Sequence, residues 1–97
     1  MKIPVGDVTY YVAFTQSEYG KISSAIIAKD DKFFNVVSVG VAVKSVKDKC
    51  DRAKGREISF SRAMTNVHMD KITRTRFWDR YHEVYPYKSQ HRNKETP

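Results

Sequence analysis

The stretch FFNVVSVGVAVKSVKDKCDRAKGREISFSRAM, residues 33–64, changes its period part-way along, and that change decides the fold. From Phe33 to about Lys44 side chains alternate, which predicts a strand. Val37, Val39, Val41 and Val43 line one face, and Val36, Ser38, Gly40 and Ala42 the other. The second face is small at its middle, so a helix can approach it closely. The competing reading is that Gly40 marks a bulge. After Ser45 the spacing becomes three-four: Val46, Cys50, Ala53, Phe60, Met64 and Val67 form one helical stripe. That helix runs either from about residue 48 to 68, capped by Asp48 or Asp51, or only from Arg56, after a loop reaching Gly55.

Working outward, two further strands precede this stretch. Val8–Phe14 alternates, with Val8, Tyr10, Val12 and Phe14 on one face, and Ile22–Ala28 is rich in β-branched residues. Gly20 suits a turn between them, and Lys29–Lys32 reads as a hairpin loop. On the C-terminal side, Thr73–Tyr85 reads as a second helix capped by Asp70 or Thr73 and ended by Pro86. Phe77, Trp78, Tyr81, Val84 and Tyr85 fall on one side of it. Arg76/Asp79 and Arg80/Glu83 fall on the other at i,i+3 spacing. The expected architecture is α+β: a three-stranded antiparallel meander followed by two helices packed on one face. Residues 1–86 make the single domain, and 87–97 a mobile basic tail. An uncovered edge strand leaves room for a homodimer.

Charge is distributed unevenly. Residues 1–43 carry four lysines and four acids, whereas residues 44–97 carry fourteen Lys and Arg against seven acids, so the whole net charge of +7 lies in the second half. That asymmetry favours an anionic partner, most often nucleic acid. No apolar run reaches the roughly 20 residues of a membrane span, and the N-terminus lacks the apolar core of a signal peptide. The single cysteine, Cys50, suits the core and a reducing compartment.

Two basic clusters are candidate phosphate contacts. The first is Arg52, Lys54, Arg56 and Arg62 around Gly55, where forked guanidinium donors could meet phosphate oxygens. On an unbroken helix these four do not share a face, and Arg56 sits at the edge of the apolar stripe, where it could pair with Asp48, Asp51 or Glu83. The second cluster, Lys71 to Arg76 and Arg80, interleaves bases with Phe77 and Trp78. Single-strand binders use such mixtures, although the aromatic spacing is equally that of a helix core. From these clusters Arg52, Lys54, Arg56, Arg62, Arg74, Arg76 and Arg80 are the expected nucleic-acid contacts. His68, His82 and His91 have no metal-ligand spacing, and Gly55 stands alone rather than in a phosphate loop. The expectation is therefore a non-enzymatic protein without cofactor or metal.

The residues Gly40-Val41-Ala42, Lys47-Asp48, Asp51 to Ile58 and Arg62-Ala63 resemble a pattern in small proteins of phage and prophage origin. There a strand ending in Gly-Val-Ala leads through a Lys/Asp loop into an Arg-x-x-Gly-Arg helix. The resemblance covers about residues 39 to 64. It implies a viral accessory protein made in the cytoplasm of a bacterial host. Such proteins bind DNA or RNA, or block a host or defence enzyme in the anti-CRISPR or anti-restriction manner. Nucleic-acid binding through phosphates is the leading expectation. The alternatives are an inhibitor docking on an acidic or nucleic-acid-binding host protein, and a structural or assembly protein.

Overall fold

The small face of the last strand is where the molecule is assembled. The structure, a computed structural model, describes residues 1–17, 21–44 and 52–86. Its elements are β1 (Lys2–Val5), β2 (Val8–Gln16), β3 (Ile22–Ala28), β4 (Val36–Val43), α1 (Arg52–Asn66) and α2 (Lys71–Val84). The four strands form one antiparallel sheet in the order β1-β2-β3-β4, with both helices on one face. The α+β class agrees with the sequence reading. The expected Gly20 turn, Asp48 and Asp51 caps, Cys50 and the tail 87–97 lie outside the described residues.

The three-strand expectation is corrected to four. Lys2–Val5 pairs with β2 through a two-residue turn at Gly6-Asp7, Val5 facing Val8, and Gly6 takes φ +59. The strand is short and contains Pro4, which argues against an interior strand. At a sheet edge the missing N–H costs no ladder bond. Ile3, on the core side, is 1% exposed.

Along β4 the small face does meet a helix. A Cβ added at Gly40 would land inside the contact distance of Ser59 O and Ala63 N, and 2.9 Å from Ala63 Cα. All three are α1 backbone atoms. The helix therefore rests on the strand backbone itself. Its side of the contact is equally small: Gly55, Ser59 and Ala63 recur every four residues, and a Cβ at Gly55 would collide with Ser23 Oγ. The helix accordingly runs through Gly55, and the alternative start at Arg56 is overturned. Ser38 Oγ donates to Ala63 O at 2.6 Å and Ser59 Oγ to Arg56 O at 3.0 Å, which satisfies the hydroxyls trapped in the seam.

β4 also departs from the expected span and facing. Asp30 carboxylate oxygens accept the N–H groups of Phe34 (3.0 Å) and Asn35 (2.7 Å), and Phe33 takes φ 59, so residues 33–35 belong to the turn. A bulge follows: Ala28 faces Val36 but Ile27 faces Ser38. Val37, the extra residue, turns to pack against the core, while Val36 is exposed.

The rest of the core is aromatic. Phe60 on α1 stacks on Phe77 and Tyr81 of α2, with centroids 5.9 and 5.3 Å away, and meets Phe14 edge-on at 5.6 Å. Helix α1 ends with His68 in the left-handed region, φ 52. The Met69 N–H donates to Met64 O and the His68 N–H to Thr65 O, closing the last turn. Helix α2 starts at Lys71, two residues earlier than the sequence spacing predicts, because Asp70 takes the N-cap position. The side chain of Thr73, hydrogen-bonding the Asp70 carboxyl, holds it below its ordinary range.

Gly40→Ala is expected to cost about 3 kcal/mol or more, since the obstacle is helix backbone that no rotamer change can clear. Gly6→Ala, with φ +59 but open space around the added methyl, is expected to cost only about 1–2 kcal/mol. Urea unfolding of the two variants separates these cases.

Candidate nucleic-acid interface

The seven cations expected at a phosphate surface divide into two groups. Four guanidinium groups are engaged with the fold itself. Arg52 Nη1 donates to Gln16 Oε1 at 3.0 Å, while Gln16 Nε2 donates back to Arg52 O at 2.9 Å and to Ser23 Oγ at 3.2 Å. Arg56 Nε donates to the Tyr81 hydroxyl at 3.3 Å, and its guanidinium lies 4.0 Å over the Tyr85 ring. The pairing partner for Arg56 is thus a pair of tyrosines rather than Glu83, which instead holds Arg80 at 2.8 Å.

Arg62 and Arg80 sit at the two ends of the sheet. Arg62 Nη1 donates to Val41 O at 2.8 Å, and four residues on, Asn66 Nδ2 donates to Val39 O at 2.9 Å. In β4 the even residues face β3, as the Lys44 N–H donating to Lys21 O shows, so the carbonyls of Val39 and Val41 point to the open side. At the far side, Arg80 Nε donates to Lys2 O at 2.9 Å. Met1 and Val12 exchange backbone hydrogen bonds, so odd residues of β1 face β2 and Lys2 and Pro4 face outward. Each edge of the sheet is therefore occupied by side chains of the helix lying over it. Both arginines act in a way that unpaired strand edges require. Sequence reasoning missed this because a backbone carbonyl partner leaves no pattern in the sequence.

The second group is Lys54, Arg74 and Arg76. Lys54, on the outer side of α1, is exposed. Arg74 and Arg76 are exposed on the first turns of α2, and neither side chain donates a hydrogen bond to another described residue. Arg74 lies close enough to Asp70 to favour its carboxylate form. Between Lys71 and Trp78 the helix carries three cations and no acid. At about 100° per residue, Lys71, Arg74 and the half-buried Trp78 share one flank, and Arg76 takes the opposite one. Phe77 and Tyr81 are buried in the core, at 0% and 1% exposure, and are not available to stack on bases.

Among the described residues no group of three His, Cys, Asp or Glu side chains is placed to hold a metal ion. No described helix is long and apolar enough to cross a membrane. No protein-family model, curated protein or solved structure matches the chain.

Two outcomes follow from these contacts. Burial lifts the Tyr81 hydroxyl above its ordinary value of 10.0, with the Arg56 N–H pulling the other way. The unfolded phenol then ionises before the folded one. The stability this group contributes is full below about pH 10 and is lost as pH rises above it. Melting temperatures measured between pH 8 and 11 should show that decline, and Tyr81→Phe should flatten part of it. Separately, the paired substitution Arg62→Ala with Asn66→Ala should expose the β4 edge and raise light scattering on incubation. Arg76→Ala should leave scattering at the level of the unsubstituted protein.

Proposed function

We propose that the protein is a small non-enzymatic binder of nucleic acid, acting mainly through phosphates, of the viral accessory kind that works in the cytoplasm of a bacterial host. The observation that carries this reading is the acid-free run of cations at the start of α2. Arg74 and Arg76 stand exposed there on opposite flanks, neither side chain hydrogen-bonded to a described residue, in a chain of net charge +7. Lys71 adds to the charge of that turn, whereas Lys54 stands apart from it near the start of α1. The contact set is accordingly narrower than composition suggests, since Arg52, Arg56, Arg62 and Arg80 already serve the fold. Phosphate contacts of this kind set affinity and salt dependence and carry little sequence information.

A second reading, an inhibitor docking on a host or defence protein, is favoured by Phe34. It is 87% exposed at the tip of a turn that Asp30 holds in shape. A rigid exposed aromatic suits a protein pocket better than a phosphate backbone.

Titration of a labelled duplex and a labelled single strand, at low and raised salt, tests the first reading. Affinity should fall steeply with salt. Arg74→Ala and Arg76→Ala should each reduce the slope by about one unit, one phosphate being released in each variant. Arg52→Ala should leave the slope unchanged. Absence of binding at low salt would overturn the proposal and leave the protein target.

A further inference from the structure

One face of the sheet is packed against helices, and among the described residues nothing covers the other. On that open face Ala13, Ile26 and Val39 form one row across the strands, Thr15, Ser24 and Val41 the next, and Ile22 with Val43 a third. Ile22, Val39, Val41 and Val43 are 46%, 43%, 42% and 69% exposed. We propose that this face closes on the same face of a second copy of the chain, giving a two-fold β-sandwich. The proposal is independent of nucleic-acid binding.

Four observations single out this occupant. The edges are unsuited to pairing, because Arg62 and Asn66 take the outward carbonyls of β4, Arg80 takes that of Lys2, and Pro4 has no N–H to offer. A second copy therefore meets the face and not the edge. Among the described residues of this face there is no carboxylate, and the one cation, Lys2, lies at the β1 margin beside Tyr11. Two chains of net charge +7 can thus meet there with the charges of the other described residues turned away from the contact, whereas a polyanion finds only Lys2 to pair with.

The two longer segments outside the described residues are chemically unfit to cover it. SVKDKCD and YKSQHRNKETP offer almost no aliphatic side chains. Finally, the size is adequate for a reversible pair. With strands about 4.8 Å apart and residues about 3.3 Å along, four strands present on the order of 500 Å² per copy, so roughly 1,000 Å² is buried in the pair. That is the lower bound for a specific interface and implies a concentration-dependent dimer, not an obligate one. The sheets would stack about 10 Å apart, with β-branched side chains interdigitating.

Sedimentation equilibrium of the full chain from about 1 µM to several hundred micromolar, the range in which a small interface forms, tests this. The apparent mass should rise from that of one chain toward that of two. Val41→Lys places two like charges across the two-fold axis and should weaken association at least about tenfold, with circular dichroism unchanged. Thr15→Lys, at an already exposed position on the same face, should do the same and guards against misfolding of the first variant. Amide shifts on dilution should cluster at Ser24, Ile26, Val39 and Val41. A mass of one chain at the highest concentration, association unaffected by both substitutions, or dilution shifts that follow Arg62 and Asn66 instead would each overturn the proposal.

Discussion

The contact between the α1 backbone and Gly40 is the constraint on which the remaining structure depends. Most helices sit on sheets through intervening side chains, at a distance those chains set. Here the seam is made of Ser38 and Gly40 on β4 and Ser59 and Ala63 on α1, with Gly55 set against the Ser23 side chain of β3, and at Gly40 the two backbones nearly touch. Close approach sacrifices the apolar area that larger side chains would bury. The deficit is met elsewhere, by Phe60 and Met64 turning toward α2 and by the ring cluster of Phe14, Phe77, Tyr81 and Tyr85. The core is therefore lopsided: thin and polar-lined under β4, thick and aromatic under β1 and β2.

Bringing α1 so near also brings its flanking side chains within reach of the strand edge. Arg62 and Asn66 can hydrogen-bond Val41 and Val39 because the helix axis lies low over β4. On the opposite side Arg80 reaches β1 from α2. Two arginines, Arg62 and Arg80, are thus employed in closing a sheet that would otherwise present open ladders, and Arg52 and Arg56 bind side chains within the fold. Part of the basic composition therefore has an internal cause.

How much of this the sequence discloses depends on whether the determining interaction is local. Alternation in Tyr10-Val12-Phe14 and in Ile22–Ala28 is local, and so is the stripe of Phe60, Met64, Phe77 and Tyr81, and these were legible. So was the significance of the small face around Gly40, since missing side chains invite a close neighbour. The first strand was hidden by Pro4 and by its length of four residues. The bulge at Val37 was hidden because nothing in Val36-Val37 says which valine turns inward. The candidate site was the least legible part. Arg52, Arg56, Arg62 and Arg80 look identical to Arg74 and Arg76 in composition and spacing, and what separates them is the presence of a carbonyl, an amide or a ring brought from far along the chain.

The edge closure over β4 has a geometric consequence of its own. Four residues of helix advance about 6.0 Å, and two residues of strand about 6.8 Å, so a helix antiparallel to a strand can match alternate carbonyls with every fourth side chain. The two lattices are nearly commensurate but not quite, and the offset grows by about 0.8 Å per repeat. Asn66 and Arg62, one repeat apart, bond the alternate carbonyls of Val39 and Val41 in this way. Vernier mismatch of this sort limits how much strand edge a single straight helix can screen, and therefore how long β4 can grow before it needs a different neighbour.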